Sequence, residues 1–502
     1  MKKNAKLLAA FLALLMLVAT FVACTNGSQG SDTTTDGAGT TGKPSGDTQE
    51  LYVADYLPDT SYDGRHFRIG TFGSDKYVLT SEDVQGNVVD NAIYTRQSII
   101  EDRYDVIFEE KKMADSYDMA FAMYQTNYIT ENDAVDIGKN IMRNAWLATV
   151  NGMVVPVSST KYCDPEQPWY LPHVNSQLEF DGTLFFAYTY EADTILRGMM
   201  TVFFNKRILE DNTELEDPYQ LVADDAWTID KLNEMMVKGA KDLNGDTKWT
   251  IEDDVWGMIT EDDMHAPSMW MGAGLRMVEK DPETGMPYFA ALDNEKFFDV
   301  LDKIYDYTQM DGVFWNGFFR IGQVSEALTA DLQAFIDGHG LFYLAGIYRW
   351  EGMTDMEDDF GVLPLPKNDE TQENYYSRVC DGTANCIPFT NPDLDFTSLM
   401  LEALAVESMN YYVPAYFEDA IENRYLRDPE QSLDLLLDMQ AHTMLDLGDS
   451  IWMTTMREII TKNCFRDQNN TFQSTLAENL GTINYQISND VEKLGEVLEN
   501  LA

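Results

Sequence analysis

Across 502 residues the chain carries 85 acidic against 35 basic side chains, a formal charge of −50 that becomes −53 without Lys2, Lys3 and Lys6. A surface of that sign repels nucleic acid and anionic lipid headgroups, which removes both as binding partners, while a solvated acidic exterior keeps a protein soluble. About 450 residues follow the first fifty, enough for two to three domains with large cores.

In chain order, Lys2, Lys3 and Lys6 lead into an apolar run from Leu7 to Ala23, which meets Cys24 and then a polar tract. The run is shorter than the ~20 residues of a bilayer crossing and no basic flank follows it, so 1–23 reads as a secretory signal peptide. Residues 24–50 are almost entirely Ser, Thr, Gly, Asp and Asn after the cysteine. Such a segment cannot bury enough apolar surface to offset the entropy of ordering and is expected to be a flexible leash. Within it, Gly37 to Gly42-Lys43 imitates a phosphate-binding loop, but Pro44 takes the Ser/Thr position and no strand precedes, so the match is chance. Phe21-Val22-Ala23-Cys24 resembles the lipobox of bacterial lipoproteins, with Phe21 where leucine is usual. That resemblance implies lipidation of Cys24 and a tether on the extracellular face of the cell membrane.

Beyond the leash, strands and helices alternate. His66 to Phe72 reads as a strand, Val89, Ile93, Ile100 and Tyr104 recur at helical spacing, and Asp105 to Phe108 returns as a strand, a βαβ opening. Thr183 to Tyr190 and Met199 to Phe204 are strand-like, and Trp227-Thr228 starts a helix carrying Leu232, Met235, Met236 and Ala240. Phe297, Leu301, Ile304 and Tyr305 mark another helix. Further apolar runs cover Leu341 to Tyr348, Phe360 to Pro366 and Ala384 to Phe389, and from Asp393 onward the pattern is almost wholly helical. Such alternation predicts an α/β architecture with mainly parallel sheets, and the length predicts two lobes.

Signatures of catalysis are absent from the sequence: there is no G-x-S-x-G, no H-E-x-x-H, and His66, His173, His265, His339 and His442 are scattered. Carboxylate pairs carry no signal among 85 acidic residues. The chain is therefore expected not to be an enzyme. Cys163, Cys380, Cys386 and Cys464 are too few for a disulfide framework; Cys380 and Cys386 are either buried thiols or a short-loop bridge. A sharper pattern is Asp242, Asn244, Asp246, Thr250 and Asp253, with the Lys248 carbonyl available, at positions one, three, five, nine, twelve and seven of a twelve-residue loop. That spacing wraps oxygens around Ca²⁺ as an EF-hand loop does, although Thr247 stands at the turn glycine and Asp253 is shorter than the usual glutamate. The readings are a structural Ca²⁺ staple or a plain Asx-rich surface turn.

Val202-Phe-Phe-Asn-Lys-Arg-Ile-Leu-Glu210, Asp217-Pro-Tyr and Ala226-Trp-Thr-Ile-Asp-Lys-Leu232 together resemble the hallmark of extracellular solute-binding proteins of family 1. Arg103-Tyr-Asp-Val106, Phe335-Ile-Asp-Gly338, Leu341-Phe-Tyr and Gly361-Val-Leu-Pro-Leu-Pro366 fit the same family, and Pro414-Ala-Tyr-Phe417 with Arg427-Asp428 resembles a subset from Gram-positive bacteria. The resemblance spans about residues 50 to 502. It implies a two-lobed, periplasmic-binding-protein-like (Venus-flytrap) fold with a helical C-terminal part, acting as a monomer. Its lobes would be 51–190 with 383–430, and 191–382 with 431–502. They would close on a small solute, most often an oligosaccharide, and deliver it to the membrane subunits of an ABC importer.

Sugars stack on aromatic rings and bond to polar edges, so the resemblance directs attention to Tyr348, Trp350, Tyr190, Glu191, Asp381 and Trp270 as ligand-facing. Each has a plainer reading as core, turn or solvated acid. Three alternatives stay open: a surface-attached glycan hydrolase, a peptide-binding lipoprotein, and an adhesive module suggested by the dockerin-like loop, of which a true dockerin carries two.

Overall fold

The computed structural model describes residues 51–73, 79, 88–191, 194–260, 264–317, 324–379, 382–422 and 425–501. The expectations for 1–23, the leash, Cys24, Cys380 and Asp381 lie outside the described residues. Ala54–Ala502 forms one unit, and the following concerns it alone.

Four strands open the first sheet: β1 (Arg65–Phe72), β2 (Val106–Ala114), β3 (Ile137–Ile141) and β4 (Val154–Val155). Five more build the second: β5 (Met200–Asn205), β6 (Trp256–Thr260), β7 (Phe314–Asn316), β8 (Gly340–Gly346) and β9 (Phe360–Leu363). Then come β10 (Ser377–Arg378), β11 (Thr383–Pro388) and β12 (Thr443–Met444). The first sheet runs β2-β1-β3-β11-β4 and the second β7-β6-β8-β5-β9. In each, a parallel trio is followed by one antiparallel strand, against which the last strand is again antiparallel. Four strands of five thus share a direction in both sheets.

Among the helices are α1 (Val88–Tyr104), α2 (Met142–Val150), α3 (Ile229–Gly239), α4 (Glu295–Thr308), α5 (Leu394–Glu407) and the long C-terminal α6 (Phe472–Leu501). Their origins are local. Val89, Ile93, Ile100 and Tyr104 give α1 one buried stripe, and Thr228 caps α3 by accepting from the Lys231 amide. Strands β5, β6 and β8 are buried at every residue, as sheets covered by helices on both faces must be. The chain is the two-lobed α/β fold expected, helical after Asp393 except for β12.

Among the strands named above that are longer than two residues, three escape the apolar pattern. Ile137–Ile141 contains Lys139 and Asn140, both fully buried; Trp256–Thr260 and Phe314–Asn316 are too short to show a period. Thr183 to Tyr190 corrects in the other direction. Only Thr183–Leu184 is strand, and the remainder crosses between lobes, touching sheet partners at single residues.

Buried carboxylates serve as acceptors for the aromatic donors of this core. Glu402 accepts from the Tyr56 and Tyr170 hydroxyls and the Trp169 indole, and burial raises its carboxyl above the usual range. Asp446, fully buried, accepts from the Met277, Val278 and Gly448 amides and from the Trp270 indole. This bond set fastens the segment after β12 to the second lobe. Asp446→Ala leaves several buried donors unmatched, each costing ~1–3 kcal/mol, so a loss of roughly 3 kcal/mol or more is expected in urea unfolding. A loss under ~1 kcal/mol would show that water replaces the carboxylate.

Candidate functional site

The two lobes join where residues after β4 run towards β5 and residues after β9 run back to β11. These crossing segments lie antiparallel, with Ala187 opposite Asn385 and Met199 opposite Val379. Two buried cations anchor this junction, Lys139 between the two segments and Arg96 between the first of them and the end of α5. Lys139, on β3, reaches Glu191 of the first crossing segment and, at 3.1 Å, Asn385 Oδ1 of the second. Arg96, on α1, donates at 2.7 Å to the Glu191 carbonyl and at 2.8 Å to Ser408 Oγ at the end of α5. Its guanidinium lies 5.5 Å from the centre of the Tyr412 ring. Lys139, Glu191, Arg96, Asn385 and Ser408 are all buried, so each polar group needs an internal partner.

A small cleft, part of it open to solvent, lies beside this junction. One wall is Ile141, Met142 and Arg143, the carboxyl end of β3 and the start of α2. The opposite wall is Thr443, Met444, Leu445 and Ser450, and the crossing segments contribute Tyr188, Val379 and Gly382. The carboxyl ends of strands in α/β sheets are where ligands collect. The lining is mostly apolar with few polar groups. Arg143 is its one charged side chain among the described residues and is already paired with Asp118 at 2.6 Å. Tyr188 Oη donates to the Gly382 carbonyl at 3.0 Å, fixing one crossing segment to the other.

The residues singled out by sequence separate into groups. Glu191 is buried in the ionic junction, and Tyr190, half-buried, packs beside it on the core. Tyr348 is half-buried just past β8, with the Arg349 guanidinium 5.0 Å from its ring centre. Trp350 is 1% exposed and stacks on Tyr425, and Trp270 is 0% exposed against Phe297. Both tryptophans are core residues rather than cleft-facing ones, because their neighbouring aromatics cover both. Lys139, Arg96 and Asn385 were not picked out by the motifs. The signal available was a lysine and an asparagine inside an otherwise apolar run.

In the proposed calcium loop, Asp242 accepts from the Gly245 and Thr247 amides, Asn244 from the Asp246 amide and Asp246 from the Lys248 amide. Thr247, at the turn-glycine position, adopts φ 67°. Trp249 docks against Trp256. Among the described residues no three His, Cys, Asp or Glu side chains converge as a metal site requires. Cys386 is a free, buried thiol pushed up to about 12 by desolvation.

No family model matches the chain, and no curated protein is similar to it in sequence. Solved structures are similar in fold. An ABC substrate-binding protein from Listeria monocytogenes in complex with cycloalternan has a TM-score of 0.54 at 14% identity, over 85% of this chain and 100% of that one. UspC of M. tuberculosis has 0.56 at 14% identity, over 84% and 100%. A solute-binding protein of an ABC transporter from Thermotoga lettingae, bound with α-D-tagatose, has 0.53 at 11% identity, over 84% and 100%. The two-lobed fold of these proteins therefore extends over most of this chain.

Removing the Lys139 charge strands a buried carboxylate. Lys139→Met is expected to cost ~3–5 kcal/mol in chemical denaturation, and Lys139→Met with Glu191→Leu to recover at least half of that. A double variant no better than the single one would mean that the pair is not the determinant of this junction.

Proposed function

We propose that the protein captures a small solute, an oligosaccharide by preference, between its lobes and hands it to the membrane subunits of an ABC importer. The observation that carries this reading is the cleft at the crossing of two lobes of like topology, walled by both. A ligand shifts an equilibrium between arrangements only by its differential affinity for them, and contacts from both lobes provide that difference. The structural neighbours bind cycloalternan and tagatose, which favours a carbohydrate. A mostly apolar cleft whose single charge is neutralised within the protein suits the C–H faces of a neutral sugar better than the charged ends of a peptide. None of this asks for bond-breaking groups.

Attachment through a lipid on Cys24, with the lobes outside the cell on the leash of residues 24–50, is the companion proposal. It rests on the order of basic, apolar and polar residues at the start of the chain. Among the described residues no helix is long and apolar enough to cross a membrane. Ca²⁺ at the 242–253 loop is likewise proposed from ligand spacing, and supported by the positive φ of Thr247 at the position where EF-hand loops turn.

A thermal-shift screen against mono- and oligosaccharides, short peptides and Ca²⁺ tests these readings, because a ligand selective for the native state raises its melting temperature. A neutral oligosaccharide is expected to raise it without being consumed, and Val379→Trp, which fills the cleft, to abolish the shift in a folded protein. A shift by peptides alone replaces the solute class, and cleavage of a polysaccharide replaces capture with hydrolysis.

Tyr348→Ala is expected to weaken sugar binding ~10-fold with little change in melting, about the worth of one aromatic contact. Lost stability at unchanged affinity would make Tyr348 a packing residue. Asp246→Ala is expected to erase any stabilisation by Ca²⁺; a wild-type melting curve unmoved by chelator and by added Ca²⁺ removes the metal from the proposal.

A further inference from the structure

The C-terminal helix α6 touches both lobes along its length. A helix of 30 residues is ~45 Å long, comparable to a whole lobe. Near its start, the Phe472 ring meets Tyr305 of α4, in the second lobe, at 5.8 Å. Near its end, Val497 lies against Gly152, just past α2 in the first lobe.

Between these ends sits Asp490, 7% exposed. Its Oδ2 accepts the indole N–H of Trp146 at 3.0 Å and that of Trp452 at 2.8 Å. Trp146 belongs to α2 of the first lobe. Trp452 follows the segment that Asp446, and Arg378 through Asp449 at 2.8 Å, hold to the second lobe and its crossing strand. The two indoles meet edge to face at 5.6 Å. One carboxylate oxygen thus takes one donor from each side of the junction. The same two segments form the cleft walls, since Ile141–Arg143 runs into Trp146 and Ser450 into Trp452.

We propose that α6 is a splint across the two lobes and that Asp490, shared by Trp146 and Trp452, is its latch, so that the lobes part at the cleft only when this latch releases. A swing about the crossing segments alone would separate the two indoles. The helix cannot follow both, because it is held at each end to a different lobe. Parting the lobes therefore strands either a buried carboxylate or a buried indole donor, which opposes opening. The inference concerns the lobes and holds whichever solute they take.

Spin labels at Ile129→Cys and Val237→Cys, 73% and 50% exposed and in different lobes, measure the separation by pulsed electron–electron resonance. The background is Cys24→Ser with Cys380→Ser; the remaining cysteines are buried. The wild type is expected to give one narrow distance distribution without solute. Asp490→Leu is expected to raise a longer-distance population at least ~10-fold at unchanged helix content. Trp146→Phe, which keeps the ring contact and deletes one donor, is expected to shift it in the same direction by less, and serves if Asp490→Leu does not fold. A folded variant with the wild-type distribution, or a wild type already broad without solute, overturns the proposal.

Discussion

The first sheet is not completed by its own stretch of chain. Its antiparallel strand, β11, arrives only after all five strands of the second sheet, β5 to β9, have been built, so the chain leaves the first lobe for the second and comes back. This exchange forces two segments to cross side by side between the lobes, at a place helices and sheets also cover. Backbone and side-chain polar groups there have little water to bond to, so they must bond to each other. The Lys139–Glu191 pair, the Asn385 amide and the Arg96 guanidinium meet that demand. A junction tied by few, directional, buried interactions has discrete arrangements rather than a continuum, the property a capture protein needs.

The acidity of the chain has an inside as well as an outside. Glu402, Asp446 and Asp490 are buried or nearly so, and each gathers indole N–H or phenol O–H donors from elements far apart in sequence. Large aromatic rings supply apolar area but bring a polar tip that must be satisfied. A carboxylate accepts several such tips at once, so one acid can join several elements. Asp446 shows the tension in this choice: burial pushes its carboxyl up to about 7, while the amides bonded to it favour the ionised form.

What the sequence displays is what periodicity and turn chemistry encode. The βαβ opening, the capped α3 and the helical tail are local patterns, and each is visible because its apolar residues face one direction. The strand β3 is not visible, because Lys139 and Asn140 break its apolar run for reasons that exist only after the crossing segments arrive. Trp350 and Trp270 misdirect for the complementary reason. A ring stacked on a solute and a ring stacked on Tyr425 or packed against Phe297 have the same local sequence, and only the surroundings distinguish them. The acceptors Glu402, Asp446 and Asp490 are hidden by number: among 85 acids, these three have no distinguishing neighbourhood.

The crossing segments and α6 restrain the same motion from different positions. Bonds at Lys139, Glu191 and Arg96 lie at the pivot, where a rotation of the lobes moves atoms least, so they define an axis without opposing the swing strongly. The contacts of Asp490 lie behind the cleft walls, where the same rotation moves atoms further and a hydrogen bond is lost within about an ångström of travel. A solute bridging Ile141–Arg143 to Thr443–Ser450 would load those same walls. Its contacts and those of Asp490 would then favour one arrangement together. A solute that must hold two lobes already joined by the protein's own carboxylate needs less binding energy to keep them together, and leaves more of it for distinguishing one solute from another.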